Sequence, residues 1–301
     1  MQKFNMPASA SRTLPRVFLM ALMAALTLLA ACSSLRLAYN NGDTLLYWWL
    51  DGYVDLNAEQ KDWVKKDIDK LFQWHRKTQL EDYIQILQTG QRQLAGNPGV
   101  DDLLGDFTEI RKRTERLLQQ AKPELADLAR SLQPEQIATL EKKFASNLDD
   151  FRKKNMKGDR EAQQQFRYKK AMEQFELWFG RFNAEQEAQI RKASDARPLD
   201  NTIWLAERQR RQRAIVELVR KVQQEKLGKE ATMALIDKLI SDSFKRLDQS
   251  EHKQFFDASE RGTAEMIVTV IRIATPQQKA HAQQRMQGWI SDFQALAKDA
   301  R

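Results

Sequence analysis

From Asn57 onward, apolar residues in this chain return every three or four positions, which restricts it to a helical architecture. Ile137, Leu140, Phe144, Leu148 and Phe151 form one such series, and Val64, Ile68, Leu71, Phe72 and His75 form another. Ile215, Leu218, Val219 and Val222 follow the same rule, as do Met286, Trp289, Ile290 and Phe293. At 3.6 residues per turn these side chains line one face of a helix, whereas a half-buried strand would alternate. Sheet-forming runs rich in Val, Ile and Thr are nearly absent, and only 11 Gly and 7 Pro punctuate 301 residues. Breaks are expected at Gly96-Asn97-Pro98-Gly99, Asn155 to Asp159, Arg197-Pro198, Gly228 and Thr275-Pro276, with Pro123 kinking or restarting a helix. The expectation is all-α, an elongated antiparallel bundle of seven to nine helices with short connections.

One pentapeptide form recurs at uneven spacing. It occurs as Leu56-Asn57-Ala58-Glu59-Gln60, Leu132-Gln133-Pro134-Glu135-Gln136, Phe182-Asn183-Ala184-Glu185-Gln186 and Ala274-Thr275-Pro276-Gln277-Gln278, with a looser Leu247-Asp248-Gln249-Ser250-Glu251. The physical reading is a helix start. A polar N-cap accepts from an orphan backbone N–H, proline suits the first helical position, and the terminal amide reaches back as in a capping box. Gln133 is a poor cap by type. A hydrophobic staple is complete only between Leu132 and Ile137. These pentapeptides also resemble the Leu-Thr-x-x-Gln motif of Spy/CpxP-type periplasmic proteins, although Thr survives only at Thr275. That resemblance implies a helical chaperone or envelope-stress sensor, while capping alone accounts for the same pattern.

The amino terminus carries an address. Lys3, Arg12 and Arg16 precede an apolar run from Val17 to about Leu29, with no acid before Cys32. This is the layout of a secretory signal, and the apolar run is shorter than the ~20 residues of a transmembrane helix. Leu29-Ala30-Ala31-Cys32 resembles the lipobox of bacterial lipoproteins. The resemblance implies a signal peptide over 1–31, diacylglycerol (palmitate-type) acylation at Cys32, and, with Ser33 rather than Asp next, attachment to the outer membrane facing the periplasm. Lys3, Arg12 and Arg16 leave with the signal, so 49 Lys+Arg against 41 Asp+Glu becomes 46 against 41. That modest surplus of about +5, outside the cytoplasm, points away from nucleic acid. Anionic head groups or acidic clients remain as partners, against a default of a mixed solvated surface. Cys32 is the single cysteine, so its acylation leaves no thiol for a disulfide or a nucleophile.

Tyr39-Asn40-Asn41, then Tyr47-Trp48-Trp49, then Tyr53-Val54-Asp55-Leu56 before Gln60 stand in that order behind the lipobox. The stretch resembles a family of proteobacterial lipoproteins known only as a domain of unknown function. It implies no activity. Tyr47, Trp48, Trp49 and Tyr53 suit either the membrane–water boundary, a partner surface, or the core of a first helix. Residues 32–56 are therefore taken as anchor and aromatic juxtamembrane segment, and 57–301 as the helical bundle.

Catalytic signatures are lacking. His75, His252 and His281 have no metal-ligand spacing, and no phosphate loop or Gly-x-Ser-x-Gly elbow is present. His75 lies on an apolar stripe and reads as a packed residue. Asp101-Asp102 and Asp149-Asp150 point about 100° apart on a helix, poor geometry for shared acid–base work. Arg208, Arg210, Arg211 and Arg213 spread around their helix and read as solvated groups with local ion pairs. No metal or cofactor is expected, and no enzyme. The functional expectation is non-catalytic binding of proteins or envelope components, chaperone-like in character. The alternatives are a structural tether or, remotely, an envelope hydrolase.

Overall fold

The computed structural model describes residues 35–249 and 251–299, and over that span the chain is helical without strands. The helices are α1 (35–40), α2 (Gly42–Val54), α3 (Ala58–Thr78), α4 (Leu80–Gly96), α5 (Val100–Ser131) and α6 (Pro134–Asn155). Then follow α7 (Arg160–Phe179), α8 (Ala184–Ala196), α9 (Asn201–Gln224), α10 (Lys229–Gln249), α11 (Lys253–Ile273) and α12 (Pro276–Lys298). Among the described residues twelve helices replace the expected seven to nine. Some of the added breaks carry no Gly or Pro. At Thr78-Gln79, α3 ends and α4 begins around two buried residues, Gln79 and Leu80. Packing of α4 along α12 sets that break rather than local propensity.

Conversely, α5 runs through Pro123 without restarting. The looser fifth pentapeptide also departs from expectation, because 247–249 close α10 instead of opening a helix.

The four pentapeptides organise the molecule into two similar four-helix units. Each sits at a corner between consecutive helices: α2/α3, α5/α6, α7/α8 and α11/α12. In the first unit α2 packs on α6 and α3 on α5; in the second, α7 packs on α12 and α8 on α11. The helices between corners cross over. α4 leaves the first unit to lie along α12 of the second, and α10 leaves the second to lie along α5 of the first. α9 bridges back onto α6 and α5.

Each unit has its own apolar core. Tyr47, Val54, Leu56, Val64, Leu132, Ile137 and Leu140 meet in the first, and Phe179, Phe182, Ile190, Val270 and Ala274 in the second. The leading residue of each of the four corner pentapeptides (Leu56, Leu132, Phe182, Ala274) is therefore a core residue. Burial of each leucine contributes about 1.5–3 kcal/mol before entropy. From the segment before residue 57, α2 supplies Tyr47 and Val54 to the first core.

Candidate functional site

Two arrangements stand out: the Gln-locked corners that shape both units, and the helical platform directly behind Cys32.

At each corner the terminal Gln closes a capping box. Asn57, Asn183 and Thr275 accept from the N–H of Gln60, Gln186 and Gln278 at 2.9, 2.9 and 3.2 Å. The amide oxygens of these three glutamines, and of Gln136, accept from the N-cap N–H groups of Asn57, Gln133, Asn183 and Thr275 at 2.8–3.0 Å. Their amide nitrogens reach across to a second corner.

Gln60 Nε2 donates to Ser131 O at 3.0 Å, and Gln136 Nε2 to Asp55 O at 3.0 Å. Gln186 Nε2 donates to Ile273 O at 2.8 Å, and Gln278 Nε2 to Arg181 O at 2.7 Å. In all four cases the acceptor lies two residues ahead of the partner's N-cap, so each pair has a local twofold relation. The paired amides also meet directly, Gln60 with Gln136 at 2.7 and 3.1 Å, and Gln186 with Gln278 at 2.8 and 3.3 Å. All four side chains are buried. A capping box alone accepts Glu or Gln; this lock needs a donor, which an ionised carboxylate lacks.

Behind the expected anchor, α1 and α2 are pinned to the bundle by the Tyr-Asn-Asn stretch. Tyr39 Oη lies 2.7 Å from His75 Nδ1, and His75 Nε2 lies 3.3 Å from Tyr83 Oη. We assign the imidazole as neutral, accepting from Tyr39 and donating to Tyr83. Burial lowers the His75 pKa, and burial raises that of Tyr39 to about 12 against the opposing Arg76 charge. One residue on, Arg76 Nη2 donates to Asn40 Oδ1 at 3.1 Å, and Asn41 Nδ2 donates to Leu37 O at 2.7 Å. Arg36 pairs with the buried Asp292 of α12 at 3.2 Å. Gly42 completes the fit, since a Cβ there would lie 2.7 Å from the Phe72 ring. His75 is thus a packed, hydrogen-bonded residue.

The aromatic stretch divides by direction. Tyr47 enters the first core. Tyr53 packs on Phe144 and accepts from Asn147 Nδ2 at 2.8 Å. Trp48 and Trp49 instead point outward at 64% and 58% exposure, together with Leu45 at 53%. Positions 45, 48 and 49 fall within an arc of about 100° on α2. Six large apolar side chains are exposed among the described residues; with Leu37 of α1, four of them belong to this one platform. They form a cluster rather than scattered single exposures.

Cys32, Leu29, Ala30 and Ala31 lie outside the described residues. No helix among the described residues is long and apolar enough to cross a membrane, and no group of three His, Cys, Asp or Glu side chains gathers there to hold a metal. The arginine cluster of α9 is partly paired: Arg210 and Arg211 contact Glu207 at 2.7 and 3.3 Å, and Arg208 lies over the Phe151 ring.

Residues 52–238, more than half of the chain, match a family of unknown function (DUF6279). The chain belongs to that family. The DUF6279 match begins inside α2, after Trp49, and spans the first three corners but not Gln278. No curated protein and no solved structure matches the chain.

Sequence reasoning found the caps and the aromatic helix. It did not anticipate the amide pairing, because Gln60 and Gln136 are 76 residues apart. The only available signal was Gln rather than Glu at the fifth position of all four corners.

Proposed function

We propose that this member of the DUF6279 family is a lipid-anchored, non-catalytic envelope protein that stands on a membrane through the Leu37, Leu45, Trp48 and Trp49 face. In this reading residues 1–31 are a signal peptide, Cys32 carries the acyl chains, and the bundle faces the periplasm from the outer membrane. The exposed tryptophan face carries the proposal. Aromatic rings favour the interface between head groups and acyl chains, and several acyl chains make attachment durable.

Chain length adds a constraint. Three residue steps join Cys32 to Leu35, a span of at most about 11 Å. Because α1 is bonded to both α3 and α12, the anchor leaves little room for a swinging domain. The bundle is then held close to the bilayer in one orientation, with its remaining surface available to proteins or other envelope components.

The test is the amino-terminal tryptic peptide of the protein extracted from membranes. Cys32 to Arg36 bearing a diacylglyceryl group is expected. A peptide continuing upstream of Cys32, or an unmodified cysteine, refutes the reading. The same short attachment favours a structural spacer as second reading. Crosslinking in intact envelopes to one defined partner supports the spacer, while suppression of client aggregation at near-stoichiometric amounts supports the binding role.

A further inference from the structure

A cavity of about 430 Å³ lies where α5 of the first unit approaches α7, α9, α11 and the α8–α9 connection. Its volume falls in the range of small-molecule sites. Three arginines line it, Arg111, Arg167 and Arg197, and Arg111 is held in an ion pair with Glu260. Arg167 closes the end of α8, donating from Nη1 to Pro198 O at 2.7 Å and from Nη2 to Ser194 O at 2.8 Å and Arg197 O at 3.2 Å. Its Nε is buried without a partner.

Arg197 is held far more loosely. Its three hydrogen bonds, to Ser194 O, Ser194 Oγ and Thr263 Oγ1, are all 3.4 Å long and all to neutral acceptors. Its stem crosses Gly262, where a Cβ would lie 2.9 Å from Arg197 Cγ, so the glycine makes room for it. Burial and the neighbouring Arg167 lower the Arg197 pKa to about 10.

Glu260 and Asp257 line the cavity as well, and the carboxylates near Arg197 already have cationic partners. Glu260 pairs with Arg111 at 2.9 Å, Asp257 with Lys253, and Asp195 with Arg191 at 2.6 Å, although Asp195 still offsets part of the Arg197 charge. Three aromatic rings also line it, Phe107, Phe256 and Trp204, the last set edge-on to Phe256 at 5.1 Å, beside the polar Asn201, Ser259 and Thr263. A half-buried guanidinium with long, neutral bonds is poorly compensated in this form of the protein. An oxyanion offers it short, charge-assisted, bidentate bonds.

We propose that this cavity binds a small organic anion, with its carboxylate or phosphate on Arg197 and its apolar part against Trp204 and Phe256. The site is independent of the Cys32 anchor and stands whether or not that reading holds.

The full chain in detergent micelles is titrated by calorimetry and tryptophan fluorescence with phenyl phosphate, benzoate, inorganic phosphate and benzyl alcohol. At least one aromatic anion is expected to bind saturably at a single site, and the stronger of the two identifies the preferred oxyanion. Benzyl alcohol and inorganic phosphate are expected to bind at least about tenfold more weakly, since each lacks one half of the recognition. Arg197→Gln should lower affinity at least about tenfold while keeping its melting temperature. Trp204→Phe should remove the fluorescence response. Phenylglyoxal labelling of the unaltered chain supplies a readout that needs no variant, with Arg197 modified when free and protected by the bound anion. No saturable binding of either aromatic anion, equal binding to Arg197→Gln, or labelling of Arg197 unaffected by ligand overturns the proposal.

Discussion

Replacing Gln136 by Glu separates a simple capping box from the lock described here, because the two make opposite forecasts. If Gln136 only capped α6, Glu would serve as well and would gain about 0.3–1 kcal/mol from the helix dipole. In the lock, Gln136 Nε2 donates to Asp55 O at 3.0 Å and to Gln60 Oε1 at 2.7 Å. An ionised glutamate in its place removes both donors and sets a buried carboxylate oxygen against two acceptors. Gln60 cannot correct this by flipping its amide, because its oxygen serves the Asn57 N–H and its nitrogen serves Ser131. Two stranded acceptors at about 1–3 kcal/mol each, with the carboxylate's own desolvation, give a loss of roughly 3–5 kcal/mol. At an m-value of roughly 3 kcal/mol/M this moves the urea midpoint down by more than about 1 M.

The sign of the pH dependence adds a second check. When the introduced carboxyl is protonated it regains one donor, so the folded Gln136→Glu chain holds that proton above the unfolded pKa of about 4.3. The deficit against the parent chain is therefore small below that value and grows as pH rises through the elevated folded pKa. Urea denaturation of parent and variant at pH 5 and 7.5 measures it. A variant as stable as the parent at pH 7.5, or more stable, would refute the lock. Gln186→Glu should behave likewise through Gln278 and Arg181.

Three further outcomes follow from the platform. His75 has a folded pKa below 6.5, so the unfolded chain takes up a proton that the folded chain declines. Its contribution to stability is present above about pH 6.5 and lost as pH falls through the lowered folded value, and His75→Phe should flatten that part of the profile. Gly42→Ala forces its new methyl into the Phe72 ring and should cost about 1–3 kcal/mol in denaturant melts, whereas Gly52→Ala, with nothing near its Cβ, should cost nothing from a clash. Trp48→Ser with Trp49→Ser should leave stability within about 0.5 kcal/mol, since both rings are mainly solvent-facing, while weakening liposome binding.

Helical period and cap chemistry are short-range properties, so the all-α class and the four helix starts were legible in the chain. Leu45, Trp48 and Trp49 also share an arc by spacing alone. What spacing could not tell is whether a neighbouring helix covers that arc; α6 instead receives Tyr53 and leaves the tryptophans bare. The break at Gln79 was invisible for a related reason, since it serves the packing of α4 on α12. The choice of Gln over Glu at Gln60 and Gln136 acquires meaning only when two helix starts face one another. Arg197 is the extreme case. In sequence it marks a loop beside Pro198, and its environment is assembled by Ser194, Thr263, Gly262 and Arg167 from three helices.

The central claim is that the Leu45, Trp48 and Trp49 face rests in a bilayer. It is tested most directly by tryptophan quenching of the full lipidated chain in liposomes containing lipids brominated at defined acyl depths. Subtracting the signal of the Trp48→Phe/Trp49→Phe chain isolates these two rings from the other five tryptophans. Strongest quenching of the difference signal by bromine at the shallow acyl positions is the predicted result. An unquenched difference signal, still accessible to aqueous iodide, would contradict the account.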